Sequence, residues 1–255
     1  MKKIISLVLV AVMAMSCVIG LASCGGSNTA SDTKTAEVKE LHMATNAAFE
    51  PYEFYKNKKI VGIDPEMAQA ICDKLGYKLV IDDMDFDAII TAVTTGKADF
   101  GMAGMTVTDE RKKKVDFTDS YTTTTQVIIV NEKDSKVKTI DDLAMATIGV
   151  QRGTTGDVYV SDLKKAKIER FNTGPDAVLA LTKGKVDAVV IDGQPAKAFV
   201  KKNKGTKILS EPFAEEDYAI CLAKDSKLTA EFNKALKELK KDGTLDKINA
   251  KYIKE

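Results

Sequence analysis

The chain has 255 residues, with 38 Lys and Arg set against 37 Asp and Glu, a single His and no Trp. That length suits one large domain or two modest ones. The near balance of charge, with no basic stripe interleaved with aromatics, argues against nucleic acid as a partner.

Lys2 and Lys3 precede an apolar run from Ile4 to Leu21, and Leu21-Ala22-Ser23-Cys24 follows. A basic start, an apolar centre and small residues at the junction mark an export signal. Residues 1–23 are expected to be a lipoprotein signal peptide, because Leu-Ala-Ser-Cys resembles a bacterial lipobox. That resemblance implies cleavage before Cys24 and a diacylglyceryl group on it. An uncleaved membrane anchor is the alternative. Residues 24–37, rich in Gly, Ser, Thr and Ala, read as a flexible tether.

Leu41–Thr45 is predicted as the first strand, delivering Asn46 and Phe49 to a loop. Lys59–Asp64 leads to a helix with Asp64 as N-cap, Pro65 first, and Met67, Ile71 and Leu75 on one face; Gly76 ends it. Tyr77–Ile81 is the next strand. A second helix aligns Phe86, Ile90 and Val93 and ends at Gly96. Phe100–Gly104 reads as a buried strand.

Thr108 is then a helix N-cap, with Asp109 and Glu110 in the first turn, where the helix dipole favours acids. Arg111 shares that turn with free backbone N–H groups, a setting that suits a carboxylate or small anion. By spacing alone, a surface pair with Asp109 or Asp116 is equally consistent. Strand then alternates with helix, the pattern of an α/β fold with mostly parallel sheets. Lys234–Tyr252 is helical with a break at Gly243. Cys72 on a helix and Cys221 in an apolar strand read as two buried thiols rather than a disulfide. With His42 the only histidine, no Cys/His zinc cluster can form, and neither metal nor other cofactor is expected.

The sequence also echoes itself. Val93-Thr-Thr-Gly-Lys-Ala-Asp99 aligns with Leu181-Thr-Lys-Gly-Lys-Val-Asp187, each a helix end, a turn and the start of a strand. Eight residues beyond the glycine stand Gly104 in one copy and Asp192 in the other. Both fall where open α/β sheets bind ligands, at the carboxyl ends of strands. Two such units suggest two lobes facing one cleft; a chance match of turn chemistry is the alternative.

Six blocks give a more specific resemblance. They are Phe49–Phe54 (FEPYEF), Val61–Asp64 (VGID), Gly104–Tyr121 (GMTVTDER, then DFTDSY), Gly153–Gly156 (GTTG), Asp187–Asp192 (DAVVID) and Glu215–Ile220 (EEDYAI). In this order they resemble family 3 of the bacterial extracellular solute-binding proteins, the polar amino-acid receptors of ABC importers. The resemblance implies an α/β fold of two lobes joined by a two-segment hinge, the type II periplasmic-binding-protein-like architecture. Lobe 1 would span 38–121 plus 219–255, lobe 2 126–213, and the hinge 121–125 and 214–218.

It also implies roles. Arg111, helped by Thr106, would take the carboxylate of an L-amino acid, with Thr155 the opposing donor. Asp192 and the carbonyl of Gly104 would take the ammonium, although by spacing alone Asp192 is a helix N-cap. Phe49 and Phe86 would wall the side chain, although periodicity alone makes Phe86 ordinary core. Asn46 and Gln151 would tune specificity. Relatives that read a basic or amide side chain often carry an acid where Asn46 stands, so a neutral, moderately polar ligand is expected.

The partners implied are an L-amino acid, an ABC permease and the membrane, through lipid on Cys24, for an extracytoplasmic and monomeric protein. No G-x-S-x-G, H-E-x-x-H, Walker A or G-x-G-x-x-G pattern supports catalysis, and no catalytic residue is assigned. The alternatives are a sensor module for a signalling receptor and a dehydratase-type enzyme on the same fold.

Overall fold

Short apolar runs alternate with amphipathic stretches along the chain, and they build two mixed sheets flanked by helices. The computed structural model describes residues 38–253; the predicted signal peptide, Cys24 and the tether lie outside the described residues. The strands are β1 (Glu40–Thr45), β2 (Ala48–Phe49), β3 (Glu53–Lys56), β4 (Lys59–Val61), β5 (Lys78–Asp83), β6 (Phe100–Gly101) and β7 (Val115–Phe117). They continue with β8 (Thr122–Asn131), β9 (Thr147–Gln151), β10 (Lys167–Phe171), β11 (Ala188–Asp192), β12 (Thr206–Ile208), β13 (Ala214–Tyr218) and β14 (Cys221–Ala223). The helices are α1 (Ile63–Leu75), α2 (Ile89–Thr94), α3 (Asp109–Lys112), α4 (Thr155–Ser161), α5 (Gly174–Thr182), α6 (Gly193–Lys202), α7 (Lys227–Lys241) and α8 (Thr244–Tyr252).

The first lobe holds a five-stranded sheet in the order β5-β1-β6-β14-β7. The second holds a six-stranded sheet, β10-β9-β11-β8-β12, with β13 also paired to β8. Each sheet has a parallel half: β1 with β5 and β6, and β9 with β10 and β11. The other half is antiparallel, so the expectation of mostly parallel sheets is corrected. The cause is the chain's path. β8 carries it into the second sheet, β13 brings it back alongside β8, and β14 completes the first sheet in the reverse sense.

Local signals account for most element ends. Gly76 caps α1 in a left-handed conformation, and Gly243 separates α7 from α8 in the same way. Thr108 caps α3, its hydroxyl accepting the Arg111 N–H. The buried stripe beginning at Phe86 runs through Ile89, Ala92 and Val93 rather than Ile90. Residues Phe86–Ala88 form a 3-10 turn, and its tighter winding brings the third residue onto the buried face. Phe100–Gly104 is strand only at Phe100–Gly101; beyond it the chain turns, with Gly104 at φ 53°. Among the described residues no helix is long and apolar enough to cross a membrane.

Candidate functional site

Arg111 shows what the cleft was folded to hold. α3 is a single turn, and its N-cap places the Arg111 side chain inward, 9% exposed. One guanidinium nitrogen donates to the Thr106 carbonyl at 2.7 Å and another to the Gly153 carbonyl at 3.0 Å. The guanidinium lies over the Phe86 ring, 5.3 Å from its centroid, a cation–π contact. The proposed surface partners are engaged elsewhere, Asp109 with Lys112 and Asp116 with Lys224. No carboxylate of the described residues lies within ion-pairing distance of Arg111. Burial lowers its proton affinity against the pull of nearby acids, of which Glu216 acts most strongly. A buried cation held by neutral carbonyls is matched to an anion from outside.

The opposite lobe supplies the reverse charge. Asp192 ends β11 and occupies the N-cap position of α6, yet makes no capping hydrogen bond. Its carboxylate instead accepts the Tyr218 hydroxyl. It is 4% exposed, and burial, reinforced by the charge of Glu216, pushes its pKa up to about 7.

Asn46, Phe49, Phe86, Gly104, Thr106, Arg111, Gln151, Thr155 and Asp192 all line one cavity of about 290 Å³. Asn46 and Gln151 meet across it: the Gln151 amide donates to Asn46 Oδ1 at 2.9 Å, while Asn46 Nδ2 donates to the Met84 carbonyl. The Phe49 ring packs against Tyr52 and abuts Gly104 so closely that an added Cβ would meet it at 3.0 Å.

Three acids were missed in the sequence. Glu53 lines the same cavity, 1% exposed, with Oε2 lacking a partner among the described residues. Burial and the adjoining Asp64 carboxyl push its pKa well above the carboxylate range. Asp64 is not the N-cap of α1; Gly62 holds that position. Asp64 accepts the Gly104 N–H at 2.8 Å and the Tyr121 hydroxyl at 2.9 Å, and so fixes the turn that presents Gly104. Burial raises its pKa to about 6. The third, Glu216, accepts from Thr106, Thr155 and Gln126. The burial alternation along β13 puts Glu216 on the face of Tyr218, a period-2 signal present in the sequence. Among the described residues no group of His, Cys, Asp and Glu could hold a metal ion.

The model of the family described as bacterial extracellular solute-binding proteins, family 3, matches residues 41–255. The chain belongs to that family. Among family relatives, the arginine-binding extracellular protein ArtP of Bacillus subtilis (strain 168) is 38% identical, over 91% of this chain and 92% of its own. A probable histidine-binding protein of Neisseria gonorrhoeae is 35% identical, over 94% and 93%. A solved structure of an ancestral arginine-binding protein bound to arginine superposes with a TM-score of 0.81 at 43% identity, covering 84% of this chain and 98% of that one. The family fold, two lobes around a cleft, is the fold described above.

Proposed function

We propose that this chain is an extracytoplasmic receptor that binds one L-amino acid between its lobes and delivers it to an ABC permease, and that it is not an enzyme. The observation that carries the reading is the placement of Arg111 and Asp192, opposite charges from opposite lobes lining one small cavity. A zwitterion fits that polarity, its carboxylate toward Arg111 and its ammonium toward Asp192 and the Gly104 carbonyl. Phe49 and Phe86 wall the side chain.

Glu53 replaces the neutral-side-chain expectation. A buried acid with an unpartnered oxygen in the cavity suits a cationic side chain, which would draw its proton off. Relatives that bind arginine support the same choice, and arginine is the proposed ligand. The chain from Tyr121 to Thr125 and from Ala214 to Tyr218 serves as the hinge. Calorimetric titration against the standard L-amino acids tests the reading: L-arginine should bind most tightly, and absence of heat with all of them rejects it.

Lipid on Cys24 would anchor the receptor, two acyl chains sufficing for stable attachment. A Cys24→Ala variant expressed in a lipid-modifying bacterial host should move from the membrane to the soluble fraction. Unchanged fractionation rules the anchor out.

A further inference from the structure

Glu216 lies on the returning strand β13, 5% exposed. Its Oε2 accepts the Thr106 hydroxyl at 2.8 Å, the Thr155 hydroxyl at 2.9 Å and Gln126 Nε2 at 3.2 Å. These donors come from three places: the loop before α3 in the first lobe, the start of α4 in the second, and the outgoing strand β8. One carboxylate oxygen accommodates several donors, but each threonine hydroxyl has a single proton to give.

Thr106 and Thr155 also line the cavity beside Arg111. An amino acid carboxylate seated at Arg111 needs donors from the same two hydroxyls. It also shares the same cation, since Glu216 is the acid whose charge bears most on Arg111. Two carboxylates would then draw on one set of donors in a water-poor cleft.

Resting on the receptor reading above, we propose that Glu216 is a resident stand-in for the ligand's carboxylate. It holds the hydroxyl protons of Thr106 and Thr155 and yields them when an amino acid reaches Arg111. The exchange has two effects. The two anions repel, which loosens binding. On departure of the ligand, the hydroxyls return to a waiting acceptor, so neither is left buried and unpaired. A receptor that must surrender its cargo is served by both.

The charged and titratable groups around this acid are Arg111, Asp192, Tyr159 and Tyr218. Because the charge of Glu216 helps to raise the Asp192 pKa, neutralising it should also move the acid limb of the affinity profile to lower pH. A purely structural role for Glu216 would not move that limb.

The test compares wild type with Glu216→Gln, which keeps shape and an acceptor oxygen but loses the charge. Both are titrated at about pH 8, where Asp192 is mostly ionised, with L-arginine and L-argininamide, whose carboxylate is replaced by a carboxamide. L-arginine should bind the variant about tenfold more tightly, through slower dissociation, and L-argininamide should change by less than about threefold. Unchanged or weaker arginine binding in a folded variant overturns the proposal, as does an equal gain for the amide. If Glu216→Gln does not fold, Glu216→Asp takes its place, since its shorter side chain reaches the hydroxyls poorly. Tighter arginine binding then supports the proposal, and unchanged or weaker binding rejects it. Wild type is titrated first; if another amino acid binds best, that compound and its amide are the probes. If none binds, the receptor reading fails before any variant is tested, and this inference fails with it.

Discussion

The two lobes carry the same short unit and put it to opposite electrostatic use. Val93–Asp99 and Leu181–Asp187 both turn at a left-handed glycine, Gly96 at φ 72° and Gly184 at φ 66°, and both feed a buried strand. In the first lobe the strand stops at Gly101, and the chain coils through Gly104 to Arg111, exposing backbone and a cation. In the second, β11 continues to Asp192 and exposes an anion. The turn and the strand therefore set the position of a site, while the residue at the strand's end sets its sign. The lobes differ in cost as well. Arg111 is held by two carbonyls, whereas Asp192 keeps one tyrosine partner and a proton affinity raised by burial.

That asymmetry is most directly broken by truncation. Arg111→Ala and Asp192→Ala should each weaken amino acid binding by roughly 30-fold to several thousand-fold, the 2–5 kcal/mol expected when one partner of a buried charge pair is removed. Their thermal melts should diverge. Arg111→Ala strips the Thr106 and Gly153 carbonyls of a donor and should lower the melting temperature, whereas Asp192→Asn removes a poorly compensated buried charge and should leave it unchanged or raise it. Equal melting losses in calorimetric scans would erase the proposed difference between the lobes.

Glu53 extends the contrast to the ligand's side chain. Glu53→Gln should weaken L-arginine binding by about 10- to 100-fold, the worth of one hydrogen bond to a charged group, and L-glutamine binding by much less. Competition titration of the two amino acids checks this, and equal losses would remove Glu53 from side-chain recognition.

Protonation provides a graded version of the same comparison. Asp192 has a pKa of about 7 in the fold against an ordinary value of 3.8, so between these values the native state binds more protons than the unfolded chain. Its contribution to stability is therefore full at low pH and is lost as pH rises toward about 7. A ligand ammonium favours the ionised carboxylate, so binding should release a proton and affinity should rise with pH to about 7. Below that, affinity should fall by up to about tenfold per pH unit. Titrations in buffers of different ionisation enthalpy measure the released proton directly; a flat profile from pH 5 to 8 would contradict the burial argument.

The smallest expected effect concerns the shared turn itself. A Cβ at Gly96 or Gly184 meets nothing within 4 Å, so Gly96→Ala and Gly184→Ala pay only for the left-handed backbone, about 1 kcal/mol each. Matching shifts in denaturant midpoint would confirm that the two turns are equivalent, and a clear inequality would make the echo coincidental.

Much of this was legible in the residues. The Thr108 cap, the stops at Gly76 and Gly243 and the paired turns are local, and local chemistry encodes them. Arg111 and Asp192 needed the six ordered blocks, because spacing alone left a surface pair and an N-cap equally available. Asp64, Glu53 and Glu216 were missed for a different reason. Each derives its role from partners far along the chain, Asp64 from Gly104 and Tyr121, and Glu216 from Thr106 and Thr155. Glu53 also stands in a short hairpin strand, where an acid ordinarily faces solvent.

The two sulfurs of the folded part have a practical consequence. Cys72 and Cys221 are free and buried, and burial pushes their thiols up to about 11 and about 12. The thiolate is the reactive form, so at neutral pH both are nearly inert toward oxidants, disulfide exchange and maleimides. A protein working outside the cytoplasm thus carries two cysteines without the hazard of mispairing them. For the experimenter, a single cysteine placed on each lobe's surface would take a dye without competition from Cys72 or Cys221, and lobe closure could be followed by fluorescence in the otherwise native chain.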